Sequence, residues 1–124
     1  MMIKGLRLVS IWSEDLNNLL PFYRDTLGLT VGMESPEFVI FGDPNAPSLG
    51  LGTHSEVHGV NSDPARHMVG LGTDDIDGDY ERLKSKGVEF IETPTAGGDG
   101  GLRMATLKDP EGNLVQLFQF TEPM

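Results

Sequence analysis

Leu8-Val9-Ser10-Ile11-Trp12-Ser13-Glu14-Asp15-Leu16 and, sixty residues further on, Met68-Val69-Gly70-Leu71-Gly72-Thr73-Asp74-Asp75-Ile76 are two copies of one pattern. At a spacing of sixty-six, Phe41-Gly42-Asp43-Pro44 matches Leu107-Lys108-Asp109-Pro110, and Leu49-Gly50-Leu51 matches Val115-Gln116-Leu117. The spacing grows because the second half carries an extra loop, Thr93-Pro94-Thr95-Ala96-Gly97-Gly98-Asp99-Gly100-Gly101. Matches in the same order imply a duplicated unit of about sixty residues, whose equivalent positions line a shared cavity.

Working outward, Ile3 to Trp12 alternates as a strand. Ser13 or Asp15 can cap a helix whose apolar stripe is Leu16, Leu19, Leu20, Tyr23 and Leu27, with Gly28 beyond its end. Pro21 lies inside that stripe and should kink the helix or move its start. Short strands are predicted near Thr30 to Glu34, Glu37 to Phe41 and Ser48 to Thr53. The second unit repeats this with a strand from His67 to Gly72 and a helix from Ile76 to Lys86. Strands at Val88 to Glu92, Leu102 to Leu107 and Leu114 to Phe120 follow. Each unit therefore reads β-α-β-β-β. The fold class is α+β: two tandem modules, the first about 1–56 and the second about 67–124, joined by a polar connector at about 57–66.

One helix covers only one face of each sheet. The pairs Val9 and Ile11, Leu49 and Leu51, Val69 and Leu71, and Val115 and Leu117 suit the helix side. The alternate set, Leu8, Ser10, Trp12, Gly50, Gly52, Met68, Gly70, Gly72, Met104, Thr106, Gln116 and Phe118, mixes glycine, small polar and a few large residues. Such a surface packs poorly as a core and suits the lining of a ligand cavity. Glycines inside strands weaken them, so those in matched positions imply the close approach of something else.

The chain has 124 residues, 38% of them hydrophobic and 23% charged, which describes one soluble globular domain rather than a disordered segment. It contains no cysteine, which removes disulfide, thiolate-metal and thiol-nucleophile chemistry. No apolar run is long enough to span a membrane, and Met1 to Arg7 lacks a signal-peptide layout, so a cytoplasmic location is expected. A net charge of −10 disfavours nucleic acid and anionic membranes and favours a cationic ligand, although it also serves solubility.

The chain resembles the vicinal oxygen chelate (VOC) superfamily, which includes glyoxalase I, extradiol dioxygenases, fosfomycin resistance enzymes and bleomycin resistance proteins. The resemblance is carried by Asp15-Leu16 with Phe22-Tyr23-Arg24-Asp25-Thr26-Leu27-Gly28-Leu29, and by Thr73-Asp74-Asp75-Ile76-Asp77 before Tyr80 to Phe90. It continues in Lys108-Asp109-Pro110-Glu111-Gly112-Asn113-Leu114-Val115-Gln116-Leu117, so it spans nearly the whole chain. It implies paired βαβββ modules that wrap curved mixed sheets around a cavity, often in a homodimer. It also implies that metal-dependent relatives carry His, Glu or Gln at positions that fall here on Leu8, Gly50, Met68 and Gln116. Hydrocarbon, bare backbone and thioether cannot hold a hard divalent ion, and Gln116 alone offers one weak oxygen. No metal site and no cofactor are therefore expected.

Other groups invite chemistry. His54, Glu56 and His58 stand at alternate positions, with His67 not far off, and are either a displaced metal trio or solvated residues of the connector. Trp12 can stack on a flat ligand or hold a cation, or else pack in the core or a dimer interface. Ser10 and Gln116 can orient a substrate or satisfy one another. The Thr93 to Gly101 loop is a lid or a plain connection, and no Lys-Ser/Thr follows to make it a phosphate loop. No catalytic triad or placed carboxylate pair is recognisable. The leading expectation is a small-molecule-binding homodimer whose organic ligand is cationic or aromatic. The alternatives are a metal-dependent lyase, isomerase or dioxygenase with displaced ligands, a metal-free enzyme, or an accessory subunit.

Overall fold

The computed structural model describes residues 3–43, 45–96 and 102–120, and the chain divides into two compact units, Met1–Gly59 and Val60–Met124. In the first, β1 (Leu8–Ser13) leads through two short helical turns to β2 (Val31–Ser35), β3 (Phe38–Phe41) and β4 (Ser48–Thr53). In the second, β5 (Val69–Gly72) leads through α1 (Ile76–Ser85) to β6 (Phe90–Ala96), β7 (Leu102–Lys108) and β8 (Leu114–Phe120). The sheets have the same topology, β1-β4-β3-β2 and β5-β8-β7-β6. In each, the first strand pairs parallel with the last and the remaining pairs are antiparallel. This is the tandem βαβββ arrangement that the repeat implies.

The strand-to-helix corners repeat the same bonding scheme with different residues. Ser13 Oγ accepts from Asp15 N–H at 3.0 Å, and Thr73 Oγ1 accepts from Asp75 N–H at 3.0 Å. Asp15 then caps Asn17 N–H at 2.9 Å and Asp75 caps Gly78 N–H at 3.0 Å, satisfying donors that an entering helix leaves free. The last strand of each unit completes the corner. Thr53 Oγ1 accepts from Leu16 N–H at 2.9 Å; Gln119 Oε1 accepts from Ile76 N–H, and its Nε2 donates to the Asp74 carbonyl, both at 2.8 Å.

The helices differ. The expected first helix is a 3-10 turn, Leu16–Asn18, followed by a π-helical turn, Phe22–Thr26. Pro21 immediately precedes the π turn, and its missing N–H interrupts the regular ladder. Beyond it the Leu27 N–H reaches back to the Phe22 carbonyl at 2.8 Å, five residues away. The apolar stripe still buries Leu16, Leu19, Leu20 and Tyr23 against Val39, Phe41, Leu49 and Leu51. In the second unit α1 is regular, with Asp77 and Asp79 in its first turn and Arg82 and Lys84 in its last, each complementing the helix dipole. Arg103 of β7 is paired with Asp77, which raises the guanidinium's already high pKa. Ile76 and Leu83 of α1 are buried, as are Ala105, Leu107, Val115 and Leu117 of the strands it packs on.

Four expectations are corrected. β1 begins at Leu8 rather than Ile3, and β5 at Val69 rather than His67, because the preceding residues have no sheet partner. Thr93 to Ala96 are strand rather than loop; only Gly97 to Gly101 of the expected lid lie outside the described residues. Pro94 is tolerated because β6 is an edge strand with an irregular register at that point. Val9 remains 37% exposed, and Val69 and Leu71 are only half-buried, since β1 and β5 are edge strands of their sheets. Among the described residues no helix is long and apolar enough to cross a membrane.

Candidate functional site

Side chains alternate across a strand, so the buried odd-numbered residues of β1 and β4 assign the even-numbered ones to the face opposite the helical turns. Two cross-strand rows define that face in the first unit: Ser10, Gly50, Ile40 and Met33, then Trp12, Gly52, Phe38 and Ser35. Trp12 stacks on Phe38 with ring centroids 5.6 Å apart, and the His54 ring meets the indole edge-on at 5.6 Å. These rings explain the glycines. A Cβ on Gly52 would lie 2.7 Å from Trp12 Cε3 and 2.8 Å from Phe38 Cδ1. One on Gly50 would lie 2.6 Å from Phe38 Cζ and 3.5 Å from Leu8 Cδ1. Gly50 and Gly52 therefore do not line an empty hollow; the chain's own aromatic rings lie across them. Trp12, 43% exposed, still offers ring surface.

The second unit has the equivalent rows Gly70, Gln116, Thr106 and Glu92, then Gly72, Phe118, Met104 and Thr95. Here the Phe118 ring covers Gly70, with Cε2 2.8 Å from the position of a Cβ, whereas no described residue approaches a Cβ on Gly72 within 4 Å. Buried Thr106 donates its hydroxyl to Glu92 Oε1 at 3.2 Å. Half-buried Gln116 makes no side-chain hydrogen bond to any described residue, and neither does Ser10. The two faces thus differ in chemistry: the first is an aromatic and aliphatic shelf, the second a polar row flanked by Met104 and Phe118.

The structure brings together Leu8, Ser10, Trp12, Gly50 and Gly52 in one unit, and Gly70, Gly72, Met104, Thr106, Gln116 and Phe118 in the other. Met68 precedes β5 and is 38% exposed. Phe38, Ile40 and Glu92 belong to these faces as well and escaped the sequence reading. Phe38 and Ile40 could have been found by extending the alternation from Gly50 through the hairpin.

The four positions at which the resemblance places metal ligands do not suit an ion. Leu8 and Met68 offer no hard donor, Gln116 offers one amide, and Gly50 lies under Phe38 with no room for a coordinating side chain. His54, Glu56, His58 and His67 are exposed, and the His54 Nδ1 accepts from Glu56 N–H at 3.1 Å. Among the described residues no three His, Asp or Glu side chains converge as a ligand set.

Residues 5–117 match the family model of the Glyoxalase/Bleomycin resistance protein/Dioxygenase superfamily. YwbC of Bacillus subtilis (strain 168) is 26% identical over 130 residues, covering 95% of this chain and 99% of its own. YraH of the same organism is 24% identical over 115 residues, covering 85% and 90% respectively. The crystal structure of a glyoxalase/bleomycin resistance protein/dioxygenase from Nocardioides superposes with a TM-score of 0.74 at 23% identity, covering all of this chain (100%) and 88% of that one.

Proposed function

The chain belongs to the glyoxalase/bleomycin resistance protein/dioxygenase superfamily, and from that premise we propose that it binds a small organic molecule on the open faces of its modules without using a metal ion. The observation that carries this reading is the chemistry at the family's ligating positions. One is roofed by Phe38, two are Leu8 and Met68, and the fourth is an amide. Aliphatic and aromatic surface interrupted by a few placed polar groups is the usual make-up of a small-molecule site. Trp12, Phe38 and Phe118 supply the apolar area, and Ser10, Thr106, Glu92 and Gln116 supply orientation.

The test has three measurements on one preparation. Protein purified without chelator and then offered Zn, Ni, Mn and Fe is expected to retain only substoichiometric metal on elemental analysis. Its melting temperature should not change on addition of chelator. A fragment library screened by amide chemical shifts should perturb Trp12, Phe38, Gln116 or Phe118. A tightly held stoichiometric ion would overturn the metal-free reading and restore the lyase, isomerase or dioxygenase alternative. Fragments that perturb only residues away from these faces, or none at all, would overturn the site.

A further inference from the structure

Glu92 is the only carboxylate in the polar row of the second unit's open face, and the sheet is irregular on both sides of it. Phe90 pairs with Leu107, Glu92 with Thr106 and Thr95 with Met104, so β6 carries one extra residue before Glu92 and another after it. Bulges of this kind re-aim a side chain, and two of them isolate Glu92 as a single paired residue. Its side chain is turned onto the open face, where Oε1 accepts from Thr106 at 3.2 Å.

That hydroxyl is its only partner among the described residues. The cations nearby are already engaged. Lys108, two residues from Thr106 on the same side of β7, lies 3.6 Å from Glu89, and Arg103, on the helix side, holds Asp77. No described residue donates to Glu92 Oε2. Gln116, one strand beyond Thr106, presents an amide with no described partner, and the Phe118 ring lies beside it over Gly70. The row therefore combines an uncompensated carboxylate, an amide and an aromatic ring.

We infer that Glu92, with Gln116 and Phe118, forms a recognition site for a small organic cation bearing a planar fork of N–H donors, an amidinium or guanidinium. A carboxylate meets such a fork with two parallel charge-assisted hydrogen bonds. The Gln116 carbonyl accepts a remaining N–H, and the apolar body of the ligand lies on Phe118 and Met104, where the ring face also favours positive charge. The net charge of −10 draws the cation in. This inference rests on the open faces being ligand sites, and it adds the class of ligand.

Benzamidine is the probe, with benzamide as its uncharged isostere. Both are titrated into isotopically labelled wild-type protein and Glu92→Gln, a substitution at an exposed position that keeps the acceptor for Thr106. Benzamidine is expected to shift the amides of Glu92, Thr106, Gln116 and Phe118 and to bind about tenfold more tightly than benzamide. Glu92→Gln should abolish that preference while leaving the melting temperature unchanged, and added salt should weaken benzamidine alone. Equal binding of the two probes, an undiminished preference in Glu92→Gln, or shifts confined to other residues overturns the inference. If neutral fragments perturb these faces while benzamidine does not, only the cation assignment falls. If nothing perturbs them, the ligand-site reading falls as well.

Discussion

Trp12 and Phe118 are not repeat equivalents; each stands where the other unit has a glycine. Trp12 corresponds to Gly72 at a spacing of sixty, and Gly52 to Phe118 at a spacing of sixty-six. In both units a ring lies on a bare strand, but the ring comes from the first strand in one and the last in the other. Gly52→Ala drives a methyl group between Trp12 and Phe38, so it should cost about 1–3 kcal/mol. Because Trp12 is the single tryptophan, the displaced indole should also report itself by a red-shifted emission. Gly72→Ala meets no atom of a described residue within 4 Å and should stabilise by about 0.5–1 kcal/mol through reduced backbone entropy. Denaturant titration of the pair checks both, and equal behaviour would mean that the rings are not seated as described. Arg24 and Asp25 join by two hydrogen bonds, 2.9 and 3.0 Å, which lower the Asp25 pKa and raise that of Arg24. A carboxylate with a depressed folded pKa stabilises above its unfolded pKa, and the effect disappears as pH falls through the folded value. Asp25→Asn should therefore be slightly less stable than wild type near neutral pH and equal to it once acid has protonated Asp25. Urea midpoints at the two pH values decide this.

At the scale of elements, the corners that launch the helices are the best preserved part of the duplication. Thr53 and Gln119 occupy one repeat position and do one job: each binds the first free N–H of the helical segment from the strand beside it. Gln119 also fastens the Asp74 carbonyl, so it makes two bonds where Thr53 makes one. Gln119→Leu should cost about 1–3 kcal/mol and Thr53→Val about 1 kcal/mol, because each leaves backbone groups at a part-buried helix start without that partner. Stability measured for the single variants and the double variant should be additive, since the sites share no partner. A loss in Thr53→Val larger than in Gln119→Leu would contradict the assigned bonds. The connector is likewise tied down by specific bonds. Asn61 donates its N–H to the Glu111 carbonyl at 2.8 Å and its Nδ2 to Asn113 Oδ1 at 2.8 Å, fixing the segment to the Asp109-Pro110-Glu111-Gly112-Asn113 turn. Its polar composition, read as a plain linker, concealed that attachment.

On the scale of the molecule, ten net negative charges surround two small units, and the ion pairs present are solvent-exposed at one or both partners. Self-repulsion is the dominant long-range term. Raising sodium chloride from low to physiological strength should therefore increase the melting temperature by roughly 2–5 °C, with little further gain above it. A flat or falling response would show that local pairs outweigh the net field. Duplication was legible in residues 8–16 and 68–76, and the β-α-β-β-β succession and the two faces of each sheet in the chain as a whole, because alternation and apolar spacing are properties of the chain itself. So were Trp12, Gln116 and the matched glycines, which alternation alone assigns to the open face. What covers those glycines was not legible, since the Phe38 ring reaches Gly50 and Gly52 through strand pairing rather than through neighbours in sequence. Glu92 was hidden for a related reason: two extra residues in β6 break the count by which a strand's faces are assigned, and only the pairing with Thr106 reveals its side. The amino-acid order by itself thus determined the repeated βαβββ units and their amphipathic strands, since those depend on local periodicity. Only the tertiary structure decided which rings fill the open faces and which carboxylate joins the polar row beside Thr106 and Gln116, since both depend on cross-strand register.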